Sequence, residues 1–129
     1  MLPELRHVLY VRLETLIDRI PAFYVEAPSN QALPYIVFSG LTGGVRWDTM
    51  KKDEEQYVQI NGYGTLNDVE WAKERIRKEL DNNPSSLGQF MSGGETFTVY
   101  DITEQINRVA KLGDVWQFTL QFKITIQKS

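Results

Sequence analysis

Side chains that move protons, attack substrates or bind metals are scarce in this chain. His7 is the only histidine and there is no cysteine, so any Ser-His-Asp or Cys-His scheme would have to run through His7. On a helix turning about 100° per residue, His7 lies about 200° from Leu5, away from the apolar stripe around it. It reads as an exposed surface histidine. Asp53-Glu54-Glu55 is a consecutive run rather than a set of ligands spaced to converge on one ion, and reads as solvated charge. Gly40, Gly43 and Gly44 follow a strand, which invites a phosphate loop. Yet Leu41-Thr42-Gly43-Gly44-Val45-Arg46 lacks the Lys-Ser/Thr ending of a P-loop and the spacing of a dinucleotide fingerprint. The expectation is no catalytic residue, no metal and no cofactor.

Contact chemistry is better represented. Lys73, Arg75, Arg77 and Lys78 suggest a basic patch for nucleic acid, but Glu70, Glu74 and Glu79 interleave, and Glu74 to Lys78 is a favourable four-residue pair on a helix. Most of that charge reads as a solvated face. Trp71 stands about 200° round from Val69, off the stripe formed by Val69, Ala72, Ile76 and Leu80. Its ring lies over the aliphatic stems of Arg75 and Lys78, is covered by a neighbouring loop, or meets another subunit, where Trp and Arg are enriched. The segment from Leu41 to Glu54 adds Trp47, Lys51 and Lys52 in a long hairpin loop. Loops of this length are usually binding elements, so it is expected to be mobile in the free subunit and ordered on assembly, with Trp47 as its anchor. The candidate contact residues are therefore Trp47, Trp71, Arg75, Lys78, Lys51 and Lys52.

The elements that position these residues follow from periodicity. From Leu2 to Ile20, apolar residues at Leu2, Leu5, Val8, Leu9, Leu13, Leu16, Ile17 and Ile20 make one helical stripe, with Pro3 in the first turn and Pro21 as the stop. Short strands are expected from Phe23 to Glu26, from Tyr35 to Phe38, which is apolar on both faces and so reads as central, and from Glu55 to Gly62. A second helix should run from about Asp68 to Leu80, capped by Asn67 or Thr65. Ser85 to Glu95, with Gly88 and Gly93-Gly94, reads as a mobile connector. A strand from Thr96 to about Thr103, an unassigned stretch from Glu104 to Lys111 and a turn at Gly113-Asp114 precede the clearest pattern in the chain. There Trp116, Phe118, Leu120, Phe122, Ile124 and Ile126 point one way, while Gln117, Thr119, Gln121, Lys123, Thr125 and Gln127 point the other. The expected fold is α+β, an antiparallel sheet of about five strands with two helices packed on one face, in the order α-β-β-β-α-β-β.

Composition sets outer limits. With 129 residues, 42% of them apolar, the chain suits a single domain, residues 1–129, with a core of its own. A formal net charge of −3 argues against a protein that wraps polyanions. No run of eighteen apolar residues occurs, and Glu4, Arg6 and His7 interrupt the start, so neither a membrane span nor a secretion signal is expected.

With that order in hand, the chain resembles the small tail-terminator or tail-completion proteins of long-tailed bacteriophages, which join tail to head. The resemblance rests on Leu2-Pro3-Glu4-Leu5-Arg6, Ala32-Leu33-Pro34-Tyr35-Ile36-Val37-Phe38, Gln56-Tyr57-Val58-Gln59-Ile60-Asn61-Gly62-Tyr63 with the helix through Leu80, and Phe118-Thr119-Leu120-Gln121-Phe122-Lys123-Ile124. It covers nearly the whole chain through fold-like patterns and no catalytic signature. It implies a non-enzymatic virion protein of the tail, present in the host cytoplasm during assembly. Such a subunit forms a homo-hexameric ring on the tail tube, halts tube growth and docks onto a head-tail connector or stopper protein. The partners implied are further copies of itself, the tail tube protein and that connector, with DNA at most passing through the lumen and no membrane. A DNA-contacting connector subunit and a small-molecule module with its pocket between sheet and helices are the readings that compete with it.

Overall fold

The computed structural model describes residues 2–41 and 53–128. In chain order the elements are α1 (Pro3–Leu16), β1 (Ala22–Tyr24), β2 (Tyr35–Leu41), β3 (Asp53–Gly64), α2 (Leu66–Leu80), a short 3-10 turn (Pro84–Ser86), β4 (Gln89–Ser92), β5 (Glu95–Leu112) and β6 (Val115–Lys128). The strands form one sheet in the order β1-β2-β3-β6-β5-β4. β1 and β2 are parallel, and every other neighbouring pair is antiparallel.

The expected α+β class holds, with two helices, but the sheet has six strands rather than five and is mixed rather than purely antiparallel. The added strand is β4, inside the stretch expected to be a mobile connector. It pairs with the start of β5 through a two-residue turn whose Gly93 and Gly94 sit at φ 61° and 78°. Those left-handed angles are what a tight hairpin turn with the twist of its strands requires, and glycine adopts them without a Cβ clash. The unassigned stretch from Glu104 to Lys111 is strand, the second half of β5. The first helix ends at Leu16 rather than Ile20, because the chain turns over the next four residues while still carrying Ile17 and Ile20 inward. Apolar spacing continues through that turn, so periodicity alone does not mark the helix end.

The core lies on one side of the sheet. Phe118, Leu120, Phe122, Ile124 and Ile126 of β6 meet Ile36, Phe38, Val58 and Ile60 of the neighbouring strands, all buried, in one cluster with residues of both helices. From α1 come Leu5, Leu9 and Leu13, and from α2 come Val69, Ala72, Ile76 and Leu80. The period of two along β6 keeps its apolar residues on the helix side, and each fully buried Leu, Ile or Phe contributes about 1.5 to 3 kcal/mol. α2 lies over β3 and β6. The Thr65 hydroxyl caps it by accepting the Asp68 N–H at 3.3 Å, with Asp68 in the first turn and Arg77 and Lys78 in the last, each charge opposing the helix dipole.

Candidate assembly surface

One face of the sheet carries no helix among the described residues. Phe23 and Tyr35 meet edge to face with ring centroids 6.3 Å apart, and Tyr35 and Tyr63 are 5.1 Å apart. Beside this aromatic row the side chains are amides and hydroxyls. The Gln117 amide donates to the Tyr63 hydroxyl at 3.3 Å, and the Thr119 hydroxyl donates to Asn61 Oδ1 at 2.9 Å. Thr119 is the one polar residue of the described chain that is buried, although it lies on the face away from the described helices. Its neighbours close over it, and its hydrogen bond offsets the desolvation. Burial, together with the Tyr35 hydroxyl nearby, raises the Tyr63 pKa, and the Gln117 hydrogen bond partly offsets the shift by favouring the phenolate. The apolar character of both faces of β2 is thereby accounted for: Ile36 and Phe38 enter the core, while Tyr35 and Val37 stand half-buried on the helix-free face.

Trp71 is half-buried at the junction of the two helices. Its ring lies 4.4 Å from the Arg19 guanidinium and 5.1 Å from that of Arg75, both within reach of the ring's quadrupole. Arg75 also donates from Nε to the Leu16 carbonyl at 2.8 Å, tying α2 to an open carbonyl at the end of α1. Lys78 is exposed and borders a shallow groove with Glu74, Arg77 and Asp81. Trp71 and Arg75 are thus brought together, with Arg19 in the place that Lys78 was expected to take. Trp47, Lys51 and Lys52 lie outside the described residues, as does most of the loop assigned to assembly.

Two features were not found from the sequence. Arg77 forms an ion pair with Glu104, whose backbone N–H donates to the Asp81 carboxylate at 3.0 Å. The Glu104 carboxylate, with help from Glu74, raises the Arg77 pKa above the ordinary arginine value. The other feature is the outer edge of β5, which along its second half has no strand beside it among the described residues. The signal for the ion pair was absent, since α2 and β5 are brought together only by the fold. The signal for the edge was present, in the β-branched and charged alternation after Glu104, but interrupted.

His7 is exposed, and among the described residues no three His, Asp or Glu side chains are grouped to hold a metal ion. The space between the sheet and α2, lined by Ile36, Gly62, Val69 and Phe118 among others, closes to interstices too narrow for a water molecule. No helix of the described residues is long and apolar enough to cross a membrane.

A chain from the virion of a native gene transfer agent particle superposes on this one with a TM-score of 0.66 at 12% identity, covering 96% of this chain and 92% of its own. The two chains share a fold. A second solved chain, 15% identical over 96% of this chain and 95% of its own, superposes at a TM-score of only 0.49. No protein-family model and no curated protein matches the sequence.

Proposed function

We propose that this chain is a structural subunit of a phage-type virion, acting as a tail terminator: a homo-hexameric ring at the head-proximal end of the tail tube that halts tube growth and joins tail to head. The observation that carries the reading is the fold shared end to end with a chain of a gene transfer agent virion. The sequence segments that resemble tail-completion proteins run through the same α1, β2, β3, α2 and β6. The surface chemistry supports assembly rather than catalysis. Its distinctive parts are an aromatic and amide-rich sheet face and an open strand edge, both suited to packing and hydrogen bonding against protein.

The partners are further copies of the chain, the tail tube protein and a head-tail connector or stopper protein, and the subunit resides in the virion tail after assembly in the host cytoplasm. DNA at most passes through the lumen, since a formal net charge of −3 argues against holding a polyanion. Sedimentation velocity over a concentration series tests the ring directly. A discrete closed oligomer growing at the expense of monomer is expected, and monomer at every concentration contradicts it. Strong DNA retention that falls steeply with salt would instead favour a DNA-contacting connector subunit.

A further inference from the structure

The two open edges of the sheet lie on the same rungs. At one edge, the outer side of β1 (Ala22–Tyr24) has no strand beside it among the described residues. At the other, β4 covers β5 only from Glu95 to Thr98. The next stretch of β5 is closed by the α2–β4 connection: Val99 N–H donates to the Gly88 carbonyl, Asn82 N–H to the Ile102 carbonyl, and Glu104 N–H to Asp81. Beyond a register shift between Glu104 and Ile106, β5 continues to Leu112 with no neighbouring strand on its outer side among the described residues. Following the ladder across the sheet, Phe23 pairs with Val37, Val37 with Asn61, Asn61 with Thr119, and Thr119 with Arg108. The rungs on either side run from Ala22 to Val109 and from Tyr24 to Asn107. One parallel step followed by three antiparallel ones makes β1 and β5 run in opposite directions.

We infer that in the ring β1 of one copy pairs antiparallel with Asn107–Val109 of β5 in the next copy, so that the sheet continues across each subunit boundary. The inference rests on the ring reading and names its contact. Cyclic symmetry requires a head-to-tail contact between two different patches that closes by rotation alone, and edges meeting at different heights would climb into an open helix. Here the two edges without a neighbouring strand among the described residues sit at one level of the sheet with opposite strand sense, as an antiparallel pair needs, although the Tyr24 carbonyl already accepts from Glu26 N–H. The side chains are complementary as well. Phe23 and Arg108 share the middle rung on the helix-free face, one a half-buried aromatic and the other an exposed cation, so the guanidinium lies over the phenyl ring of the neighbour. Exposed apolar side chains flank both edges, Val25 and Leu33 beside β1 and Leu112 at the end of β5. The competing account is that Arg108, Lys111 and the register shift only guard a solvent-facing edge against pairing.

The chain has no cysteine, so engineered pairs report without background. Phe23→Cys with Arg108→Cys probes the middle rung, and Ala22→Cys with Val109→Cys the adjacent one. Neighbouring rungs alternate between wide and close Cβ spacing, so one of the two pairs suits a disulfide. Each double variant is oxidised at a concentration where sedimentation of the reduced protein shows the ring. A ladder of covalent multimers beyond dimer, lost on reduction and absent from the single-cysteine variants, is the expected result. Rings present with neither pair cross-linking overturns the edge contact and leaves the ring standing. Single-cysteine variants that form covalent dimers indicate a two-fold contact and overturn it too. If the wild-type chain forms no ring at any concentration, the edge contact falls together with the ring.

Discussion

The Phe118 ring lies against the backbone of Gly62, its partner on the β3–β6 ladder, so that a Cβ added at Gly62 would collide with the ring edge at Cε2, Cδ2 and Cζ. A bare backbone position is what lets the buried Phe118 ring lie against the sheet under α2. Gly62→Ala is therefore expected to destabilise the subunit by about 3 kcal/mol, the upper range for overpacking. In a Phe118→Ala background the same change should cost far less, because the clash is gone. Chemical denaturation of the four proteins of that cycle checks the coupling, and equal costs in both backgrounds would contradict the contact.

Phe122 is fully buried midway along β6. Phe122→Ala removes the ring and leaves a cavity under the helices, at a cost of about 3 to 5 kcal/mol. A denaturation midpoint equal to wild type would place that face of β6 in solvent.

β6 was legible because its two faces meet different surroundings, a dry core and a wet sheet face, and a period of two records that difference residue by residue. β5 was legible only in its first half, from Thr96 to about Thr103, although it is longer. Register shifts between Val99 and Asp101 and between Glu104 and Ile106 each flip the alternation, and past Glu104 most side chains are exposed on both faces. β4 was hidden by its brevity, yet Gly93-Gly94 between Met91 and Thr96 is a recognisable two-residue hairpin turn. Of the candidate site, Trp71 stood out as an aromatic off its helix stripe. Arg19 did not, since only folding carries the end of α1 to α2.

Tyr63 supplies a pH signature. Its raised pKa means that the folded state favours the neutral phenol relative to the unfolded chain. The resulting stabilisation is fully present below the ordinary tyrosine value of about 10, and is lost as pH climbs from there through the raised folded value. Thermal unfolding of wild type and Tyr63→Phe at a series of pH values checks this. The wild type should lose more stability than the variant above pH ~10, and parallel curves would contradict the shift.

Trp71→Ala separates packing from assembly. With the ring in contact with both Arg19 and Arg75, its loss should lower subunit stability by about 2 kcal/mol, below the range for a fully buried aromatic. Ring formation through the sheet edges should persist. Thermal melting and sedimentation measured on one preparation give both numbers. Weakened assembly with an unchanged melting temperature would instead move the subunit contact to α2.

The central claim is that this chain ends a tail. Purified protein added in increasing amounts to its polymerising tail tube protein, with tube lengths measured by electron microscopy, tests it most directly. Tubes should stop at shorter lengths as the ratio rises, with a ring of additional density at one end of each arrested tube. A length distribution unchanged at every ratio, with bare tube ends, would contradict the terminator account.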